Sequence, residues 1–363
     1  MKIISQVLLI FPCLLAPASS TALQASDLSS SIDASIRPLF NPNGPGGEVI
    51  VVKSGRVLFV RAYGLADVEK RTPATPDMVY RLASITKEFT AAGIMLLEES
   101  GKISLIDDVS KYVPELKSGR SITIEQLLWH NSGLVDFFDL PEFAEHHRED
   151  VTAAEAIRLV ASYERLFWPG TEHRYSNSNY LVLASVIERV SGIPYEKFIS
   201  KFVLAPLSMS STAVEGHEKS GKKRVNGYIK SLGKPFTLAE PISMSWLLGS
   251  GDLVSNVFDL AKWNEAITSG KLLRKETWER MQSPGRLDDG RSIGYGFGFI
   301  VKPYLGRPWV GHNGLLNGFR AMAGYFPNDQ IFIAVLMNGG RGAAVEENVV
   351  FEAAANAALG RGR

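Results

Sequence analysis

Ser84 and Lys87 stand three residues apart where a polar loop runs into an apolar helical pattern. On a helix this spacing places both side chains on one face, so the hydroxyl and the amine lie within reach of each other. A serine hydroxyl is a poor nucleophile at neutral pH, and an amine that loses its charge on burial can activate it by taking its proton. The pair therefore predicts a covalent serine enzyme.

Two other Ser-x-x-Lys pairs begin at Ser220 and Ser231, in a stretch rich in Gly and Lys that indicates a solvated loop. Only the pair at Ser84 precedes an apolar helical run, which ends near Gly101, a residue suited to terminate a helix. Ser84 would lie near the helix N-terminus, where the positive end of the helix dipole favours an oxyanion. The alternative is that Ser84 caps the helix and Lys87 is a surface charge.

Two further motifs follow along the chain. Tyr175-Ser176-Asn177 comes shortly after Trp168-Pro169-Gly170, a turn signal. His312-Asn313-Gly314 lies within residues 309–316, a segment that fits a strand with a glycine allowing close backbone approach.

Ser-x-x-Lys, Tyr-x-Asn and cation-x-Gly, in that order, resemble the serine β-lactamase and penicillin-binding-protein superfamily. The match looks closest to its class C-like branch, which also holds D-alanyl-D-alanine carboxypeptidases, D-aminopeptidases and esterases. Further segments that resemble this branch are Leu127 to Leu134, Trp168 to Gly170, Gly251 to Ser255 with Asp259 to Ala261, and Tyr295 to Phe299. The resemblance covers nearly all of the chain after its N-terminus.

The resemblance implies acyl transfer without a cofactor. Ser84 would attack a carbonyl while Lys87 and Tyr175 accept and return the proton, and which of the two is the base in each step stays open. Asn177 would hold the lysine and the substrate amide. The substrate side would include His312, Asn313 and Gly314, and the backbone N–H groups of Ser84 and Leu315 would hold the oxyanion.

The third motif departs from the usual Lys-Thr-Gly or Lys-Ser-Gly. Lys-Ser-Gly occurs at residues 53–55, 117–119 and 219–221, but the first fits a hairpin turn, the second precedes the Tyr motif and the third lies in the charged loop. His312 has the right order and context, and His-x-Gly is a variant of the peptidase and esterase members. Histidine is largely neutral near pH 7, so recognition of a substrate carboxylate should be weaker or different, which argues against efficient β-lactam hydrolysis.

A rival motif, Gly-x-Ser-x-Gly, spans residues 290–294. The nucleophile elbow of α/β-hydrolases needs a strand before it, a helix after it, and an acid between the serine and the histidine. No Asp or Glu lies between Ser292 and His312. We interpret the segment as a turn.

The elements that must position these residues indicate an α/β (α+β) fold. Apolar patterns predict a helix at 28–36, a hairpin at 49–63, and strands at 295–301, 309–313, 320–326 and 331–337 before a last helix at 345–359. The middle is mostly helical, including 152–160, 180–190 and 261–267. We predict one antiparallel sheet built from both termini and flanked by helices, with an inserted all-helical lobe. The single catalytic domain, 23–363, would divide into an α/β lobe (about 26–83 plus 270–363) and a helical lobe (about 84–269), and the resemblance places the site between them.

Residues 1–22 have the layout of a secretory signal peptide: Lys2, an apolar stretch, then small residues. Cleavage is expected after Ala22 or Ala25. The sole cysteine, Cys13, lies inside this segment, so the mature chain would have no disulfide, which favours a bacterial periplasm or the medium. No later stretch is long and apolar enough to span a membrane.

Removal of Lys2 with the leader leaves 38 of the 39 basic residues against 38 acidic ones, a balance that argues against a nucleic-acid partner. His146, His147, Glu149 and Asp150 form the densest group of possible metal ligands, but without zinc spacing, so no metal is expected. The predicted partner is a small-molecule or peptide substrate, and the sequence does not predict the oligomeric state.

We therefore predict a secreted serine hydrolase of D-amino-acid-containing peptides, similar to D,D-carboxypeptidases. A carboxylesterase or weak β-lactamase using the same residues is the alternative. A non-hydrolysing penicillin-binding protein is a third alternative, but such sensors usually carry a membrane segment, and the sequence after residue 22 predicts none.

Overall fold

The computed structural model describes residues 19–117, 120–218, 221, 223–231, 233–340, 342 and 345–360, with side chains from residue 27 onward. Most of the predicted signal peptide lies outside these residues. So do parts of two Lys-Ser-Gly tripeptides, 117–119 and 219–221, and of the Ser-x-x-Lys pair at 220–223. The two expected cleavage positions fall within the first helix, in a part without described side chains.

Ten α-helices and thirteen strands lie in the described parts of the chain. The helices are α1 (Ser19–Ile36), α2 (Thr86–Glu99), α3 (Ile124–Leu128), α4 (Pro141–His146), α5 (Ala153–Ser162), α6 (Asn177–Ser191), α7 (Tyr195–Phe198), α8 (Val257–Ser269), α9 (Lys275–Met281) and α10 (Glu347–Ala358). The strands are β1 (Gly47–Lys53), β2 (Arg56–Tyr63), β3 (Leu65–Asp67), β4 (Thr72–Pro73), β5 (Tyr80–Arg81), β6 (Ala213–Val214), β7 (Tyr228–Lys230), β8 (Phe236–Leu238), β9 (Leu253–Ser255), β10 (Ile300–Val301), β11 (Val310–Leu316), β12 (Phe319–Phe326) and β13 (Ile331–Met337).

One antiparallel sheet joins the two ends of the chain, as predicted. Its strand order is β10-β11-β12-β13-β1-β2, so β1 pairs with β13 from Gly47↔Met337 to Lys53↔Ile331. Strands β1 and β13 are almost continuously buried and mostly apolar, as expected for strands covered on both faces. Helices α1 and α10 pack together on one face, and α2 and α8 lie toward the other.

The hairpin between β1 and β2 turns at Ser54 and Gly55, whose φ angles of 48° and 76° suit a two-residue turn. This confirms the interpretation of the Lys-Ser-Gly at 53–55 as a turn. The Gly-x-Ser-x-Gly at 290–294 likewise lies in turn and bridge structure, without the strand and helix that a nucleophile elbow requires.

The segment predicted as a strand at 295–301 is a strand only at Ile300–Val301. Gly296 and Gly298 explain the difference. A Cβ on Gly298 would lie 2.7 Å from the carbonyl oxygen of Lys87, and Gly298 has a φ of 81°. The glycines let this segment turn closely over the start of α2, which prevents regular pairing.

The segment inserted between β5 and the last four strands is mostly helical, as predicted, but it also contains four short strands, β6 to β9. Strand β9 pairs with β5 and β6, which fixes the chain after the inserted helices beside the chain that leads into α2. Helix α2 ends at Glu99, and Gly101 follows with a φ of 70°, as its sequence predicts.

In the described part of the chain, no helix has both the length and the apolar character that a membrane span requires.

Candidate active site

Ser84 lies in a short 3₁₀ turn, Ala83–Ile85, that leads directly into α2. Ala83 has a φ of 47°, in the left-handed region that alanine rarely adopts, so the backbone bends sharply just before the serine. Ile85 occupies the N-cap position of α2, and no side chain caps that end. The alternative in which Ser84 is a helix cap is therefore wrong.

Lys87 is fully buried, which also excludes its interpretation as a surface charge. Its Nζ lies 3.2 Å from Ser84 Oγ, 2.8 Å from Asn177 Oδ1 and 2.7 Å from the carbonyl oxygen of Ser250. Burial lowers the pKa of Lys87 to about 7, although the negative charges of Asp136 and Asp252 oppose the shift. A substantial fraction of the amine is thus neutral at neutral pH.

Tyr175 lies over the same amine, with Lys87 Nζ 4.9 Å from its ring centroid. Burial raises the pKa of Tyr175 above its ordinary value, and the nearby Ser84 hydroxyl offsets only part of that rise. Tyr175 is therefore a neutral phenol that can donate a proton. Asn177, the first residue of α6, links this group to the helix.

His130 supports the Tyr175 ring from behind, with ring centroids 4.3 Å apart. Its Nδ1 accepts hydrogen bonds from the Ser176 backbone N–H (3.2 Å) and from Asn179 Nδ2 (3.1 Å). Burial, followed by the charge of Lys87, lowers the pKa of His130 well below its ordinary value, so the imidazole is neutral. Residues 127–134 resemble the family in sequence, but the sequence does not predict that the His130 ring packs against the Tyr175 ring.

His312 reaches the site on β11 and is buried. Its Nδ1 lies 2.5 Å from the Asn313 carbonyl oxygen, which can only accept, so Nδ1 carries the proton. Its Nε2, 3.0 Å from the Tyr295 hydroxyl, then accepts. Burial, and next the charge of Lys87, lowers the pKa of His312 to about 3. The third motif thus lies at the site, but its histidine is neutral and both ring nitrogens are already hydrogen-bonded.

Gly314 brings β11 against the Ser84 turn. A Cβ at this position would lie 2.3 Å from the Leu82 carbonyl oxygen and 3.2 Å from the Ser84 backbone nitrogen. The predicted close approach is confirmed, because no side chain fits between the two segments. Asn313 and Leu315 flank this contact and line the cavity in front of Ser84. Strand β10 pairs only with Val310 and Gly311, so this stretch of β11 lies beyond that pairing.

Two carboxyl groups that the sequence did not single out lie near Lys87: Asp136 is half-buried and Asp252 is fully buried. Asp136 accepts a hydrogen bond from Asn177 Nδ2 (2.9 Å), so Asn177 links it to the lysine. Asp252 lies two residues after Ser250, and burial raises its pKa to about 7. Asp252 belongs to a segment that resembles the family, but its distance from Ser84 in sequence hid its place beside Lys87.

The cavity in front of Ser84 has a volume of about 980 Å³, and Tyr175, Asn177, His312 and Leu315 also line it. All eight predicted site residues therefore meet at one cavity or in the layer directly beneath it. The possible metal ligands do not converge: His146 and Glu149 form an exposed pair 3.3 Å apart, and the described residues contain no cluster of three such groups.

The chain is similar to a known protein family and to several of its members. The family model described as Beta-lactamase matches residues 32–357. Penicillin-binding protein 4* of Bacillus subtilis is 30% identical over 292 residues, which cover 76% of this chain and 64% of that protein. A D-aminopeptidase of Brucella anthropi is 28% identical over 330 residues, covering 87% of this chain and 60% of that protein. The match thus spans less than two thirds of either relative.

Solved structures share the fold. A penicillin-binding protein homologue from Pyrococcus abyssi, described as octameric, superposes with a TM-score of 0.77 at 29% identity, covering 92% of this chain and 77% of that one. A D-stereospecific amidohydrolase from Streptomyces has a TM-score of 0.73 at 25% identity, covering 90% and 98%.

Proposed function

The chain belongs to the beta-lactamase family of serine hydrolases, and we propose that it cleaves D-amino-acid-containing peptides through an acyl-enzyme on Ser84. The observation that carries the proposal is the buried Lys87 amine, whose Nζ lies 3.2 Å from Ser84 Oγ and 4.9 Å from the centroid of the Tyr175 ring. Ser84 and Tyr175 line a cavity large enough for a substrate. D-Amino-acid substrates are supported by the relatives named as a D-aminopeptidase and a D-stereospecific amidohydrolase.

The contacts of Lys87 support its role as the base. A neutral amine has two N–H groups and one lone pair. Asn177 Oδ1 and the Ser250 carbonyl oxygen can only accept here, so together they use both N–H groups and leave the lone pair for the Ser84 hydroxyl proton.

In acylation, Ser84 Oγ forms a bond to the substrate carbonyl carbon while its proton passes to Lys87. Tyr175 then delivers a proton to the departing amine or alcohol, and Lys87 restores the proton of Tyr175. In deacylation, water attacks the ester carbonyl, gives up a proton to the same pair, and Ser84 leaves with its hydroxyl restored. The backbone N–H groups of Ser84 and Leu315 would hold the oxyanion, since Gly314 lets β11 contact the turn that carries Ser84.

A carboxylesterase is the second candidate because His312 is neutral and both of its ring nitrogens are hydrogen-bonded within the protein. β-Lactams and terminal D-alanine peptides carry a carboxylate, and His312 offers that group no charge. Simple esters need no such partner. Export to a bacterial periplasm or the medium is also part of the proposal, on the basis of the signal-like residues 1–22.

Intact-mass measurement after exposure to a fluorescent penicillin, a p-nitrophenyl ester and a D-Ala-D-Ala peptide tests the proposal. The wild type should form an adduct on Ser84 and release product, whereas Ser84→Ala should do neither. Ser292→Ala, which changes the serine of the rival motif, is the matched control and should retain full activity.

Ester turnover by Ser84→Ala would disprove the nucleophile. Stable adducts with no product from any of the three substrates would instead indicate a non-hydrolysing penicillin-binding protein. Release of D-alanine would favour the peptidase, and turnover of the ester alone would favour the esterase.

A further inference from the structure

The cavity in front of Ser84 is lined mainly by apolar side chains. Among the described residues that line it, none is Asp or Glu, and Lys230 is the one Lys or Arg. Lys230 Nζ lies 5.1 Å from the centroid of the Phe236 ring, within its own hairpin. A cavity of this composition gains little from a charged ligand and more from an apolar one.

An aromatic layer forms one wall of this cavity. Phe138 is 37% exposed and faces the cavity, with its ring 4.9 Å from Phe137 and 4.5 Å from Phe143. Phe143 in turn meets Trp246 edge-on at 5.4 Å. The exposed ring therefore rests on a packed layer and is held ready for contact without needing to rearrange.

Residues 240–243 run along one side of the cavity. The Ser243 N–H donates to the His147 carbonyl oxygen at the end of α4 (2.8 Å), and Asn317 Nδ2, just after β11, donates to the Glu240 carbonyl oxygen (3.3 Å). The segment thus bridges two walls and carries Ile242 into the lining.

The apolar wall begins beside the reacting groups. Asp136, which accepts the hydrogen bond of Asn177, also accepts the backbone N–H of Phe138 (3.2 Å). Asn177 is the residue that the resemblance expects to hold the substrate amide, so the substrate would lie beside this wall. A side chain on the acyl group would accordingly extend along Phe138.

We propose that this site selects substrates whose acyl group is uncharged and carries a bulky apolar side chain, such as a phenylalanyl side chain or a medium-length aliphatic chain. The inference rests on the proposed function, because it needs Ser84 as the nucleophile, and it narrows that function to apolar acyl donors. It would apply equally to N-blocked apolar D-residues and to simple esters.

Three p-nitrophenyl esters with one leaving group test the selection: the acetate, the hexanoate and the adipate half-ester, which matches the hexanoate in carbon number but ends in a carboxylate. After correction for spontaneous hydrolysis, kcat/KM for the hexanoate should exceed that for the acetate by about tenfold or more, because added methylenes would be buried. The adipate half-ester should fall about tenfold below the hexanoate. The p-nitroanilides of N-acetyl-D-phenylalanine and N-acetyl-D-alanine should show the same order.

Phe138→Ala should lower the hexanoate-to-acetate ratio of kcat/KM about threefold or more, because the longer acyl chain loses the contact that the acetate does not reach. Phe258→Ala is the matched control, since Phe258 is 38% exposed but lies on α8, outside the cavity lining. That variant should leave the ratio at the wild-type value.

Equal rates for the acetate and hexanoate, with turnover still dependent on Ser84, would overturn this inference and leave the proposed hydrolase intact. An adipate rate equal to or above the hexanoate rate would also overturn it. If Lys230→Ala then lowered the rate for the adipate half-ester below that for the hexanoate, Lys230 would be identified as the group that binds the carboxylate. Turnover that survives Ser84→Ala would instead refute the proposed function itself.

Discussion

Lys87 is the residue whose surroundings decide whether this site can react. Three neighbouring side chains are neutral and give Lys87 no charge to pair with: His130, His312 and Tyr175. The nearby negative charge comes from Asp136 and Asp252. Desolvation favours the neutral amine and the two carboxyl groups favour the ammonium. Their balance places the pKa of Lys87 near 7, where a general base is most useful.

The pH dependence of kcat/KM should therefore rise through about pH 7, measured with an uncharged ester so that the substrate does not titrate. Below its pKa, Lys87 is an ammonium and cannot take the Ser84 proton; above it, the neutral amine can. Asp252→Asn removes a charge that raises the pKa of Lys87, so the acidic limb should move to lower pH, by about half a pH unit or more. Asp252 is the better choice for this test because Asp136 also holds Asn177 in place.

Glu276→Gln is the control: it lies on the exposed surface of α9 and changes the net charge by the same amount as Asp252→Asn. It should leave the acidic limb of the kcat/KM profile at the wild-type pH. A limb that stays fixed or moves to higher pH in Asp252→Asn would contradict the expected effect of the Asp252 charge on the pKa of Lys87. Because the titrations of Lys87 and Asp252 are coupled, the apparent pKa of the acidic limb belongs to the pair and not to one residue.

At this scale, motif order predicted the eight site residues, but not the groups that tune them. Ser-x-x-Lys is a local spacing, so one helix turn is enough to bring its side chains together. The Ser250 carbonyl, Asp136, Asp252 and the Tyr295 hydroxyl reach the site through long-range packing, and no local pattern encodes such contacts.

At the scale of elements, the contact between β11 and the Ser84 turn would assemble the proposed oxyanion site. It depends on Gly314, since backbone atoms of the turn occupy the space of a side chain. The sequence predicted this strand and its glycine. It did not predict that residues 295–299 would leave the sheet, because that requires knowing how closely Gly298 approaches α2.

Gly314→Ala should lower kcat/KM about 100-fold or more, because a methyl group 2.3 Å from the Leu82 carbonyl oxygen must push β11 away from Ser84. Steady-state kinetics and circular dichroism together should show lost activity in a folded protein. Gly44→Ala is the control, since its Cβ would make only ordinary contacts of 3.4 Å with Asn41. Wild-type kinetics in Gly314→Ala would mean that this close approach does not position the reacting groups.

At the scale of the whole molecule, β1 couples the two parts of the predicted domain. Ile50 and Val52 point into the core that also contains the inserted helices, whereas Val49 and Val51 point into the core under α1 and α10. The pairing of the chain ends was predictable from the strand patterns at both termini. The sharing of one strand between two cores was not, because each face of β1 is apolar and the sequence does not say what covers it.

We propose on this basis that the predicted α/β and helical lobes form one cooperative unit. Phe351 is fully buried on α10, within the second core and away from Ser84. Phe351→Ala should cost about 3–5 kcal/mol of stability and lower Tm by about 5 °C, while kcat/KM at 25 °C stays at the wild-type value.

Differential scanning calorimetry should show a single transition in both proteins, shifted as a whole in the variant, with the van't Hoff and calorimetric enthalpies in agreement. Val349→Ala lies on the same helix but changes a side chain that is 42% exposed, so its Tm should stay close to that of the wild type. Two transitions, of which only one moves in Phe351→Ala, would show that the lobes unfold separately. The shared strand would then not carry the coupling, because loosening the core beneath α10 would leave the helices around Ser84 folded.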